Sequence, residues 1–338
     1  MTTVLNLMVG ELRSSHVSAF WRSGGQSEDG YTGVLFDPVE LIERGTLRVA
    51  GLVSESPAAL LKDPPRVGEY LVAVDGTPIT PDANLDQLLQ RTVGRKVVLR
   101  LAPAPDSAET REVAVRPIDE DAYEHLRYRA WVETNEAYVH RVSNGRLGYV
   151  HVPEMSYEAY QQFLVNLDVE THSKEGVVLD IRYNSGGHIA TFILDVLTRQ
   201  SFILSGFRGR LSTDAYHFSG NRSLNKPTVL VTNESSASNA EMFTEIYRRL
   251  GLGKVVGKPT AGAVIWTTER TLLNRISFRL PRYSVSTPEG EDLEGTGRAV
   301  DVEVDQSPGE WSHGRDHQLD AAVAVLLESL GLPGQHAV

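Results

Sequence analysis

The sequence contains no cysteine. That excludes disulfides, a thiolate nucleophile and cysteine-type zinc sites, and it suits a reducing compartment. No apolar run approaches the roughly 18 residues of a membrane span. The opening MTTVLNLMVGELRSSH has no basic leader and no apolar stretch of signal-peptide length. These absences lead to the expectation of a cytoplasmic chain with no membrane partner. Positive charge is also short, with 33 Lys and Arg against 44 Asp and Glu and a formal net charge of -11. Such a chain repels phosphate backbones and anionic membrane surfaces, so nucleic acid is not an expected partner. No G-x-G-x-x-G is found either at Asn184–Gly187 or at Gly295–Gly297, which counts against a dinucleotide. His313 and His317 lack the glutamate of an H-E-x-x-H pattern and read as helix-start histidines. Neither a metal nor a cofactor is expected.

What is present is an ordinary globular mixture, 41% hydrophobic and 23% charged over 338 residues, long enough for two or three domains. Residues 1–29 predict a short amphipathic helix (Val4, Leu5, Leu7, Met8, Leu12) ending near Ser15 and His16, then the Gly- and Ser-rich stretch Ser23–Ser27. That helix begins without a cap, so further sequence is expected upstream. Residues 30–118 read as a unit of short strands, with a hairpin turn at Asp75-Gly76 and short helices at Ser56–Leu61 and around Asn84–Gln90. From residue 119 a long helix leads into alternating strands and helices, which imply an α/β layer with a largely parallel sheet. Residues 264–305 are more β-like, and Leu319–Leu330 is a closing amphipathic helix.

Two strand–helix junctions carry chemistry. Val229–Val231 is a buried-strand signal that runs through Thr232–Ser236 into a helix with Ser238 at its first turn. The plain reading of a serine there is a helix cap. The free N–H groups and dipole of that turn also suit the developing anion of acyl transfer. Val177–Ile181 leads into Asn184-Ser185-Gly186-Gly187, where adjacent glycines let backbone N–H groups approach a ligand. Both junctions fall at the C-terminal ends of strands in one sheet, where open α/β sheets bind ligands. Together they supply a nucleophile and an oxyanion hole, but no base. His188 and His151 are the histidines nearest in sequence.

The order of elements over 30–118, with SESPAALLKDPPRVGEYLVAVDGTPI, resembles a PDZ domain, a class that adds extended peptides to a sheet edge. Asp180-x-Arg182-x-Asn184-x-Gly186-Gly187, Ser236-Ala237-Ser238-Asn239-Ala240-Glu241 and Leu252–Thr260 together resemble the S41 serine peptidases. The C-terminal processing branch of that family places a lysine after Pro-Thr, where this chain has Ala261–Val264, and Lys258 comes too early. The tricorn branch instead uses a Ser-His dipeptide before the PDZ domain and a late glutamate, matched by Ser15-His16 and by Glu294 in Leu293-Glu294-Gly295.

The resemblance implies an α/β fold: a ClpP/crotonase-like ββα catalytic domain (119–338), an inserted PDZ-like β domain (30–118) and a short N-terminal helical remnant (1–29). It implies Ser238 as nucleophile, His16 as base, Ser15 and Glu294 orienting that base, and an oxyanion hole from the N–H groups of Gly187 and Asn239. Peptides are the implied substrates, and a homo-oligomer, a hexamer by analogy, the implied assembly. Asn239 departs from the branch, which has aspartate there, and no acidic partner for a basic substrate side chain is evident near Leu204–Arg208. Two rivals are an idle PDZ-containing scaffold and a crotonase-like acyl-CoA enzyme. The second lacks a recognisable CoA-binding segment.

Overall fold

A computed structural model describes residues 2–21, 29–81, 83–171, 173–200, 203–206, 208–209, 213–214, 224–272, 276–307, 310 and 314–332. The Ser23–Ser27 stretch, Phe207 and His313 lie outside the described residues. The chain divides into two compact units, residues 1–23 with 135–338, and residues 24–134. Among the described residues, no helix is long and apolar enough to cross a membrane.

The first unit opens with α1 (Thr2–Gly10) and β1 (Ser18–Trp21). The helix ends at Gly10, earlier than its apolar pattern suggests. Asn6 then acts as a strand mimic, with Nδ2 donating to Ala19 O at 2.8 Å and Oδ1 accepting from Ala19 N at 2.6 Å. Arg13–His16 therefore forms a loop, not a helix end.

The unit of residues 24–134 holds β2 (Val34–Phe36), α2 (Pro38–Arg44), β3 (Leu47–Leu52), β4 (Tyr70–Val74), β5 (Thr77–Pro78), α3 (Leu85–Leu89), β6 (Val97–Ala102) and β7 (Arg111–Val115). All strand pairs are antiparallel, in the order β2-β3-β4-β6-β7 with β5 on β4. Leu47, Leu71, Leu99, Leu101 and Val115 fill its core. The sequence pattern missed α2, yet its signals are plain: Asp37 caps it, Pro38 sits in its first turn and Gly45 ends it at φ 65°. Ser56–Leu61, expected as a helix, is a turn held by Leu60 N–H on Ser56 O at 3.1 Å. Pro64 and Pro65 follow closely and leave a helix no room to extend.

Helix α4 (Glu120–Val142) carries the chain from one unit into the other. There follow β8 (Leu147–His151), α5 (Tyr157–Thr171), β9 (Gly176–Asp180), α6 (Ala190–Thr198), β10 (Leu204–Ser205), β11 (Thr213–Asp214), β12 (Thr228–Thr232), α7 (Asn239–Arg249), β13 (Gly253–Gly257), β14 (Ile265–Thr271), β15 (Ile276–Ser284), β16 (Val302–Glu303) and α8 (His317–Ser329). Five strands form an all-parallel sheet, β16-β13-β12-β9-β8. Every residue of β8, β9 and β12 is buried, as expected of parallel strands covered on both faces. Phe163, Leu167, Ile193, Phe243 and Tyr247 pack in its core.

A second, antiparallel sheet has the order β1-β15-β14. Its register pairs Ser18 with Arg279 and Trp21 with Ile276. This pairing brings the start of the chain to its late segments, and the sequence pattern did not reveal it.

Candidate active site

The turn after β12 is tied to the end of β9. Ser236 Oγ donates to Ile181 O at 2.9 Å, and Asn233 Oδ1 accepts from Tyr183 N at 3.1 Å. Ala237 N donates to Asn184 O at 2.9 Å, so the two junctions meet directly. Ser238 then adopts φ 58° and ψ −119° as the N-cap of α7. A non-glycine residue in that region carries about 1–3 kcal/mol of strain, held here in a sharp strand-to-helix turn.

The glycines opposite explain the close approach. A Cβ on Gly186, at φ 97°, would lie 2.5 Å from Ser238 Cβ and 2.9 Å from Asn239 N. A Cβ on Gly187, at φ 145°, would lie 2.1 Å from Met155 O. Among the described residues, the N–H groups of Gly187 and Asn239 donate to no protein acceptor. The Asn239 side chain has its own task, since Oδ1 accepts from Ala190 N, the first residue of α6, at 2.9 Å. Its departure from aspartate thus falls on a hydrogen bond that either residue can accept.

At the other end, His16 sits half-buried with φ 60° in the loop before β1. Its Nδ1 lies 2.8 Å from Ser15 Oγ, and Ser15 Oγ donates to Glu294 Oε2 at 2.8 Å. Because the hydroxyl proton is committed to the carboxylate, Nδ1 must carry the imidazole proton and Nε2 the lone pair. Glu294 is fixed in turn: Oε1 accepts from Ser15 N at 2.6 Å and Oε2 from Val264 N at 2.8 Å. Burial, then the positive charge of Arg279, lowers the His16 pKa below the ordinary 6.5, against the opposing fields of Glu294 and Glu241. The ring is therefore held neutral, as a base requires.

The two ends are connected by residues 260–264. Glu241, fully buried, accepts from Ser238 N at 3.0 Å and Ala263 N at 2.7 Å through Oε1. Its Oε2 accepts from Thr260 Oγ1 at 2.6 Å and Gly262 N at 2.7 Å. The next N–H, from Val264, goes to Glu294. Among the described residues no hydrogen bond joins Ser238 to His16 directly; the connection runs through Glu241, this segment, Glu294 and Ser15. Sequence reasoning missed this role for Glu241, although Ser238-x-x-Glu241 is the spacing of a capping box.

The other candidates are placed elsewhere. His151 is buried, its Nε2 bonds Arg182 O at 3.0 Å, and desolvation lowers its pKa. The imidazole of His188, the neighbour of Gly187, has no hydrogen-bond partner among the described residues. Lys258 pairs with Glu303 at 2.9 Å. Glu136, His140 and Glu170 hold potential metal ligand atoms within 4.8 Å of one another, but His140 Nε2 is already bonded to Glu170 Oε2 at 2.7 Å.

Residues 146–304 match the family model described as Peptidase family S41, and residues 59–120 match the Tricorn protease PDZ domain. Ser15 and His16 lie outside both ranges. Tricorn protease homolog 1 of Streptomyces coelicolor is 35% identical over 331 residues, covering 95% of this chain and 30% of that protein. Tricorn protease of Thermoplasma acidophilum is 30% identical over 268 residues, 77% of this chain and 24% of that protein. The crystal structure of the tricorn protease superposes with a TM-score of 0.78 at 26% identity, over 96% of this chain and 32% of that one. The chain thus spans less than a third of the length of these relatives.

Proposed function

The chain belongs to peptidase family S41 and carries the PDZ domain of tricorn proteases, and on that premise we propose that it is a serine peptidase that hydrolyses peptide bonds in oligopeptides or unfolded segments through an acyl-enzyme on Ser238. His16 Nε2 takes the Ser238 proton as Oγ attacks the scissile carbonyl carbon. The oxygen, now anionic, is stabilised by the N–H groups of Gly187 and Asn239. The imidazolium is stabilised through Ser15 by the Glu294 carboxylate, and it then delivers its proton to the leaving amine. Water, deprotonated by the same imidazole, attacks the ester and releases Ser238. The PDZ-like unit is a second peptide-binding module, and on the sequence resemblance alone the chain is proposed to work in the cytoplasm as a homo-oligomer.

The observation that carries this reading is the His16 Nδ1–Ser15 Oγ–Glu294 Oε2 chain, which leaves a neutral Nε2 free to act as base. The lack of a direct Ser238–His16 hydrogen bond is what favours the second reading, an idle PDZ-containing peptide-binding protein. Catalytic hydrogen bonds often close only when substrate is bound, so a missing bond in the free chain is compatible with both readings. A fluorophosphonate probe decides between them. Labelling at Ser238 that is slowed by about 10³-fold in His16→Ala supports the peptidase, and an unlabelled wild-type chain leaves the binding protein.

A further inference from the structure

The Glu241 side chain ties the turn of the nucleophile to the segment 260–263, whose next residue, Val264, reaches Glu294. It is fully buried, and all of its hydrogen bonds come from donors: Ser238 N, Ala263 N, Gly262 N and Thr260 Oγ1, at 2.6–3.0 Å. Its two oxygens accept two bonds each, three of them from backbone N–H groups that can only donate. Through Ser238 N the carboxylate holds the strained turn that aims Oγ and the Asn239 N–H. Through Gly262 N and Ala263 N it holds the segment whose next amide, Val264 N, fixes Glu294 Oε2 beside Ser15 Oγ.

That segment is tightly seated. A Cβ on Gly262 would lie 2.9 Å from Gly297 N, and one on Gly297 would lie 2.0 Å from Thr260 O. A shift of Glu241 is therefore passed to the residues beside Glu294 and is not absorbed by slack in the segment. We propose that Glu241 is a positioning residue for catalysis, setting the nucleophile and the His16–Ser15–Glu294 relay in register through the segment 260–264. It acts through Ser238 and Val264 and touches no substrate. The inference rests on the peptidase reading above.

The test is a double-mutant cycle on Glu241→Gln and His16→Ala in the full chain, read by the rate of fluorophosphonate labelling at Ser238 and by peptide turnover. The glutamine turns an amide donor toward donors, so the alignment is lost while shape is kept. In the His16-containing chain, kcat should fall on the order of 10²-fold with KM changed by less than about threefold. In the His16→Ala background the same substitution should cost at least about tenfold less, because no base remains to be aligned. An equal loss in both backgrounds, or a loss confined to KM, overturns the proposal. If Glu241→Gln does not fold, the cycle is run with Thr260→Val. That removes one donor, and the expected loss is about fivefold in kcat with the same dependence on His16. A wild-type chain that is not labelled at all overturns the peptidase reading and this inference with it; a labelled wild type with an additive cycle overturns the inference alone.

Discussion

Two polar clusters sit beyond the C-terminal ends of the parallel strands, and they are finished in opposite ways. Around Arg182, every charge is buried and paired. Its guanidinium reaches Asp180 at 2.7 Å, Asp316 at 2.9 Å and Gln318 at 3.2 Å. Tyr149 OH closes on Asp180 at 2.9 Å, and Asn135 closes on Tyr149 at 3.1 Å. Around Ser238, the glutamates are saturated with donors, but among the described residues the Gly187 and Asn239 N–H groups have no acceptor. The first cluster locks the strand ends. The second uses comparable polar material to hold a serine in a strained backbone conformation and leaves two N–H donors open beside it.

The comparison breaks most sharply if the two clusters are cut separately. Ser238→Ala or His16→Ala should lower peptide turnover by at least about 10³-fold, because the unit works as a whole. Stability should change by less than about 1 kcal/mol, since a half-buried side chain is trimmed; turnover assays with denaturant titrations check both. Arg182→Met should do the reverse. It leaves Asp180 and Asp316 buried without their cation, a loss of roughly 3–5 kcal/mol, seen as a lower denaturation midpoint. Turnover at low temperature should fall far less than in Ser238→Ala. If the two variants had the same profile, the division between locking and working clusters would be wrong.

Much of this contrast was legible in the sequence, and the limits have physical causes. The parallel sheet could be read because β8, β9 and β12 are continuous apolar runs bounded by turn residues. Both junctions could be read because their glycines and serines sit at strand ends. Ser15, His16 and Glu294 were reached only by resemblance, since nothing local marks residues so far apart in the chain. The pairing of β1 with β15 is what brings them within reach, and β1 is four residues long, too short to show a period. Glu241 was quoted as part of a motif but not understood, because a buried carboxylate with no cation beside it reveals itself only through its N–H donors. The turn at Ser56–Leu61 was misread because its composition is helical while the prolines after it are not.

Glu294→Gln sharpens the comparison at intermediate size. Either orientation of the amide turns its NH2 toward a backbone donor, Ser15 N or Val264 N, and removes the carboxylate charge behind Ser15 Oγ. Where the NH2 faces Ser15 Oγ, the hydroxyl donates toward His16 and puts the imidazole proton on Nε2, the wrong nitrogen for a base. Turnover should fall about 10²-fold with KM nearly unchanged, and the loss should not be rescued by raising pH, as a simple change in basicity would be.

The smallest effect concerns the charge that the working cluster keeps nearby. Arg279 pairs with Ser18 in the β1–β15 register, and its Nε donates to Thr267 Oγ1 at 2.8 Å. Its positive field, with burial, holds the His16 pKa below 6.5. Activity needs the neutral ring, so kcat/KM should rise with pH through that lowered value and be level above it. The acid limb of the wild-type profile should therefore fall below the ordinary histidine range. Removing the cation in Arg279→Gln takes away one of the two lowering causes and leaves Glu294 and Glu241, which raise the value, unopposed by it. The inflection should move upward, so the variant loses activity relative to wild type in mildly acidic buffer and matches it in alkaline buffer. A pH–rate profile of the two proteins checks this. An unmoved inflection would mean that a group other than His16 sets the acid limb.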